Sequence, residues 1–142
     1  MDLPPAATLS DRVRVFLEQP LYPTLATVGA DGEPHQAVIW FRLEPDGRIL
    51  VNSRANRRWP DELRRDGRGS LAVPDLEDPF NWVGLQVVVE IVGDDVATAR
   101  DEIVALAEHY GEADEESVAK FRSQERVSFR LRIVAVHDHL EA

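Results

Sequence analysis

Cysteine is absent, and with it go disulfides, thiolate catalysis and any metal centre that needs a thiolate ligand. Lysine is almost absent: Lys120 is the only one, an Arg-for-Lys bias of the kind a GC-rich bacterial genome produces. No apolar run approaches the roughly 20 residues of a membrane span, and Met1-Asp2-Leu3-Pro4-Pro5 has neither the basic nor the apolar region of a signal peptide. A cytoplasmic protein without a membrane partner is expected. Positive charge is scarce overall. The chain has 26 acidic residues against 16 basic ones and a formal net charge of −10, which argues against broad nucleic-acid or anionic-membrane binding. Walker, dinucleotide-glycine and nucleophile-elbow patterns are all missing. His137-Asp138-His139 puts two imidazoles on one face of a terminal strand but offers no third ligand, so no metal site is expected.

What is present describes one globular domain spanning residues 1–142, with residues 1–8 a loose lead-in. The chain is long enough to bury a core without staples, and 44% of it is hydrophobic. Leu9, Val13, Phe16 and Leu17 form an apolar helical stripe over residues 9–19, ended by Pro20. A β-meander follows: strands over Tyr22–Val28, Pro34–Leu43 and Arg48–Ser53, with turns at Asp31-Gly32 and Asp46-Gly47. Pro60 and Gly67 bracket a helix over 59–66. Strands are expected over 69–73 and 81–92, helices over 98–109 and 114–122, and a last strand over 126–136. The sum is a mainly β, α+β fold: a six-stranded antiparallel barrel with peripheral helices.

Against the acidic background, one stretch reverses sign. Asn52 to Arg68 holds Arg54, Arg57, Arg58, Arg64, Arg65 and Arg68, with Arg48 just upstream. Arginines running from a strand end into the first turn of a helix provide bidentate, charge-assisted contacts, and the helix start adds free N–H groups; together these suit a phosphate. The alternative is a solvated helix face paired with Asp61, Glu62 and Asp66. No acid/base dyad stands out among so many carboxylates, and His35 reads as a polar strand-edge residue. A site without an evident side-chain catalyst fits a cofactor that carries the reaction itself.

Four segments add a resemblance: Thr24 to Gln36 (TLATVGADGEPHQ), Glu62 to Arg68 (ELRRDGR), Asp75 to Val83 (DLEDPFNWV) and Glu125 to Ile133 (ERVSFRLRI). With the order of elements, they resemble the split β-barrel flavin- and deazaflavin-binding superfamily. That is the group of the pyridoxamine 5′-phosphate oxidases and the F-420-dependent reductases, with the FMN-binding split-barrel fold. The resemblance implies a homodimeric oxidoreductase that binds F-420, or alternatively FMN, at the subunit interface and exchanges hydride with a small-molecule substrate. A non-catalytic carrier or sensor of the same cofactor is the other reading. It implies phosphate contacts from Arg57 and Arg58, with Arg54 in support. Asn52 and Ser53 would line the ring and its linker, and Gln36, Val38 and Trp40 would lie under the ring. Phe80 and Trp82 would come from the partner subunit. Trp59 stands where the F-420 branch commonly has Lys, and Gln86-Val87 where relatives often have Arg-Gly; both departures bear on cofactor binding.

Overall fold

The computed structural model describes residues 2–141, and these form one antiparallel seven-stranded sheet with four helices around it. The strands are β1 (Thr24–Val28), β2 (Pro34–Val38), β3 (Arg42–Leu43), β4 (Ile49–Arg54), β5 (Arg68–Pro74), β6 (Trp82–Gly93) and β7 (Arg126–His139). The helices are α1 (Asp11–Leu17), α2 (Arg58–Arg65), α3 (Val96–His109) and α4 (Glu115–Arg122). Sheet order is β2-β1-β5-β6-β7-β4-β3.

This corrects the expected six-stranded barrel. The single strand expected over Pro34–Leu43 is two strands on opposite edges of the sheet: β2 pairs only with β1, and β3 only with β4. Residues 39–41 bridge them. At no more than about 3.6 Å per residue, that bridge holds the two edges near one another, so the sheet must curl. It is not closed by a hydrogen-bonded ladder. Instead the Ile39 N–H donates to the Pro23 carbonyl at 3.1 Å and the Phe41 N–H to the Tyr110 hydroxyl at 3.0 Å. Ile39 and Phe41 turn into the core.

That core lies inside the curl, where Leu25, Phe41, Val51, Leu71, Val83, Phe129 and Leu131 meet Phe16 and Leu17 of α1 and Trp59 and Leu63 of α2. β4 is buried on both faces, from Ile49 through Ser53. Its second face is covered by α3, with Leu50 packed against Ile103 and Leu106. Caps fix the helix starts: Ser10 accepts from the Val13 N–H, Asp95 from Thr98 and Asp114 from Ser117. α2 is the exception. Its N-cap is Arg57, which makes no side-chain capping bond. In the lead-in, the Ala7 N–H donates to the Ile133 carbonyl at 2.8 Å, and Arg132 reaches the Pro4 carbonyl at 2.9 Å.

Candidate functional site

A cavity of ≈ 380 Å³ opens where the 39–41 bridge, the end of β4 and the start of α2 converge. One wall is aromatic. Trp40 stacks on Tyr110 with ring centroids 5.0 Å apart and a 14° interplanar angle, and Phe121 of α4 stands edge-on to it at 6.3 Å. Such a shelf offers a flat ligand a polarisable surface at little entropic cost. Tyr110 is locked: its hydroxyl donates to the Leu21 carbonyl while accepting from Phe41. Burial pushes the phenol up to about 12, against the opposing pull of the backbone bond at Phe41.

The other wall is cationic. Arg126, at the start of β7, is only 8% exposed. Its Nε donates to Asn52 Oδ1 at 2.9 Å and its Nη1 to Gln124 Oε1 at 2.6 Å, and its guanidinium lies 5.5 Å from the Phe121 ring centroid. Asn52 is in turn fixed by donating to the Ala99 carbonyl and to Ser128 Oγ. Every polar partner of Arg126 is neutral. Among the described residues no carboxylate lies within 4 Å of Arg126, Arg54 or Arg57. Burial, and then the positive charges of Arg57 and Arg54, lower the Arg126 pKa to about 10. The same three arginines border an adjoining cavity of ≈ 260 Å³ that also takes in Lys120, Ser117 and Gln124. In a chain of net charge −10, a buried cation beside two others with no counterion is arranged for an anion from outside.

The arginine-rich stretch therefore divides between its two readings. Arg64 pairs with Asp94, Arg68 with Asp66 at 2.6 Å, and Arg48 with Asp46 and Glu90 at 2.9 and 2.8 Å; Arg65 donates to the Val28 carbonyl at 2.6 Å. These four brace the fold. Arg54, Arg57 and Arg58 have no such partner among the described residues, and Arg57 stands at the uncapped start of α2, where the helix dipole is positive.

Of the residues singled out in the sequence, Val38, Trp40, Asn52, Ser53, Arg54, Arg57 and Trp59 line the ≈ 380 Å³ cavity. Gln36 and Arg58 do not; they line a second cleft of ≈ 360 Å³, which shares Arg57 and Trp59 with the first. Asn52 and Ser53 are buried, and the Asn52 amide is spent on positioning Arg126. Trp59 is chiefly a core residue, 6% exposed and 6.0 Å from Phe129 between ring centroids. Phe80 (85% exposed) and Trp82, which stacks on His139 at 4.3 Å, line neither cavity. Gln86 is exposed at a register shift in β6. Sequence reasoning missed Arg126, Lys120 and Tyr110; only Arg126 left a trace, inside the Glu125–Ile133 segment. It also took His35 for a bare edge residue, whereas its Nδ1 lies 2.6 Å from the buried Glu62 carboxylate. No group of three metal-ligating side chains occurs among the described residues, and no helix there is long and apolar enough to cross a membrane.

Comparison with known proteins follows the same lines. A family model described as pyridoxamine 5′-phosphate oxidase matches residues 9–140. No curated protein matches the chain. A solved structure named an F420 reductase is similar over 91% of this chain and 98% of its own, with a TM-score of 0.79 and 22% identity. A conserved hypothetical protein from Mycobacterium tuberculosis is similar over 94% of this chain and 87% of its own, at 0.73 and 25%. HutZ, a heme storage protein from Vibrio cholerae, is similar over 93% and 95%, at 0.68 and 19%. These likenesses carry the fold and leave the ligand open.

Proposed function

The chain belongs to the pyridoxamine 5′-phosphate oxidase family, and from that premise we propose that it is an oxidoreductase using F-420, with FMN the alternative. The observation that carries this reading is the trio Arg54, Arg57 and Arg126, without a carboxylate within 4 Å among the described residues, lining the same cavity as the Trp40 shelf. A phosphorylated, flat, tricyclic cofactor needs those two features side by side. Its phosphate would take donors from Arg54, Arg57 and Arg126 and from the start of α2; its ring would lie against Val38 and Trp40. When bound, the cofactor supplies the hydride chemistry. The chain's own residues orient the ring, neutralise the phosphate and keep water from the ring's face. Val38, 69% exposed, and Phe80, 85% exposed, leave apolar surface for a second copy to cover; a homodimer would bring Phe80 and Trp82 of one subunit towards the site of the other.

One observation favours the carrier or sensor reading. Among the described residues no carboxylate or imidazole lines the ≈ 380 Å³ cavity, and Tyr110 beside it is held by the backbone. Paired titrations of the purified protein with F-420 and FMN, repeated on Arg57→Ala, test the cofactor assignment. Tight binding of one cofactor, weakened at least about tenfold by the substitution, is expected. Equal affinity in the variant removes Arg57 from the phosphate site. Reduced cofactor that is held but never reoxidised across a panel of acceptors selects the carrier.

A further inference from the structure

A cavity of ≈ 570 Å³ lies away from the proposed cofactor site and shares no lining residue with it or with the ≈ 360 Å³ cleft. Arg48, just ahead of β4, lines this cavity, whereas Arg54, at the end of the same strand, lines the other. Six residues of extended chain, at roughly 3.3 Å each, put about 20 Å between their backbones. The cavity exists because two neighbouring strands differ in length. β4 pairs with β7 only from Arg126 to Leu131, and β7 runs on to His139. From Arg132 onward that edge of β7 has no strand beside it, and the lead-in lies there instead. The Ala7 N–H donates to the Ile133 carbonyl at 2.8 Å, and Arg132 Nη1 donates to the Pro4 carbonyl at 2.9 Å. Among the described residues these are the lead-in's only hydrogen bonds to the sheet. It is a strap fastened at two points, and the cavity lies between it, α1 and the turn at Asp46-Gly47.

The charges in the lining leave one cation over. Arg48 and Arg132 share the Glu90 carboxylate, at 2.8 and 2.6 Å, and Arg48 also holds Asp46 at 2.9 Å. Those two cations and two anions cancel. Arg14 of α1 is the fifth charge, half-buried, and among the described residues no carboxylate lies within 4 Å of it. Asp11 and Glu18, one turn to either side on the same helix, are exposed and do not reach it. Ala6, Ala7, Leu9 and Ile133 make up the apolar lining, and Ala7 and Leu9 pack against the core. A wholly apolar occupant would desolvate Arg14 without giving it a partner. A polyanion would meet Glu90 and Asp46 as well as Arg14. A single negative charge on an apolar body matches what is there.

We propose that this cavity binds an aliphatic monocarboxylate, with the carboxylate on Arg14 and the chain against Leu9, Ala7 and Ile133. The guanidinium supplies a charge-assisted, bidentate contact, and the chain gains by burial. Because the occupant touches both the strap and the sheet, it holds the lead-in down. The site does not depend on the cofactor reading, since no residue is common to the two.

Octanoate is a suitable probe, and the Ala7 amide reports on it, because that N–H exchanges with solvent only when its bond to Ile133 opens. In labelled protein, octanoate should bind saturably and shift the Arg14 Nε–H resonance. At about ten times its dissociation constant it should slow Ala7 exchange about tenfold, because only the ligand-free fraction opens. Octanol, which lacks the charge, and acetate, which lacks the chain, should each bind at least about tenfold more weakly. Arg14→Gln should weaken octanoate about tenfold or more, the loss of one charge-assisted contact, while F-420 or FMN affinity stays as in the wild type. Octanoate that leaves Ala7 exchange unchanged, equal affinity in Arg14→Gln, or octanol bound as tightly as octanoate overturns the proposal. The cofactor reading fails separately: if neither cofactor binds while octanoate still slows Ala7, this site stands and the cofactor assignment is lost.

Discussion

Replacing Arg126 with Met keeps an unbranched apolar stem and removes the guanidinium head with its charge. The fall of this guanidinium's pKa from its ordinary value to about 10, at about 1.4 kcal/mol for each tenfold change, makes its charge about 2–3 kcal/mol more costly in the fold than in water, allowing for screening at its exposed edge. The substitution relieves that cost. It also strips Asn52 Oδ1 of its donor, a loss of about 1–2 kcal/mol, and gives up the contact with Phe121, about 0.5–1 kcal/mol. The two sides nearly balance, so Arg126→Met should be within about 1 kcal/mol of wild type in urea unfolding, although a buried, hydrogen-bonded cation has been deleted. Phosphate reverses the picture. Inorganic phosphate at a hundred times its dissociation constant should stabilise the wild type by about 2.7 kcal/mol. Loss of one charge-assisted contact, about 1.5–3 kcal/mol, should cut phosphate affinity roughly 10- to 150-fold and shrink that stabilisation to about 1.4 kcal/mol or less at the same concentration. A variant that loses more than about 3 kcal/mol without phosphate, yet keeps the full phosphate response, would show that Arg126 is a structural cation and that the site is misassigned.

Three further outcomes test the surroundings of the site. Glu62 has a folded pKa below its ordinary value of 4.5, so its stabilisation is present above that value and is lost as pH falls through the lower, folded one. Glu62→Gln should therefore cost about 1–3 kcal/mol at neutral pH and flatten the loss of stability below about pH 4.5 in acid-titrated urea melts; parallel acid limbs for the two proteins would contradict this. Tyr110→Phe removes the acceptor for the Phe41 N–H and the donor to Leu21; a loss of about 1–3 kcal/mol is expected. In the wild type the Tyr110 phenol should stay protonated in ultraviolet titration until the pH approaches about 12.

The helices were largely legible in the sequence because their signals are local. The stripe Val13, Phe16, Leu17 packs as its spacing requires, and α2 runs one residue ahead of the 59–66 read from Pro60 and Gly67. The break in the second strand was not legible. Ala37 to Phe41 keeps its in-out alternation through the bridge, with no Gly or Pro to mark it, and the choice between partners β1 and β4 is a tertiary event. Charge pairing was legible only in part: Arg68 meets the nearby Asp66 and Arg48 the nearby Asp46, but Arg64 finds Asp94 and Arg48 also Glu90, 30 and 42 residues away, so sequence proximity to Asp61 and Glu62 misleads. Arg126 resembles Arg130 and Arg132 in a strand rich in arginine; what separates it is that those two meet Glu44, Glu102 and Glu90, while among the described residues it meets no acid.

The bridge of residues 39–41 also has a kinetic consequence. Where a closed barrel would have a ladder, this sheet has a seam, and the Phe41 amide at that seam is held by a phenol at the C-terminal cap of α3, an element outside the sheet. The end of α3 thus acts as a latch. When it lifts, the hydroxyl leaves Leu21 and Phe41 together and the stacked support behind Trp40 goes with it, while the Ile39 bond to Pro23 and the bridge itself still hold the two edges. Freeing the Phe41 amide and loosening the Trp40 wall of the proposed cofactor cavity would then be one motion. The Phe41 amide should exchange with solvent on the timescale of ligand release, and a bound ring, by holding Trp40 in place, should slow both by the same factor.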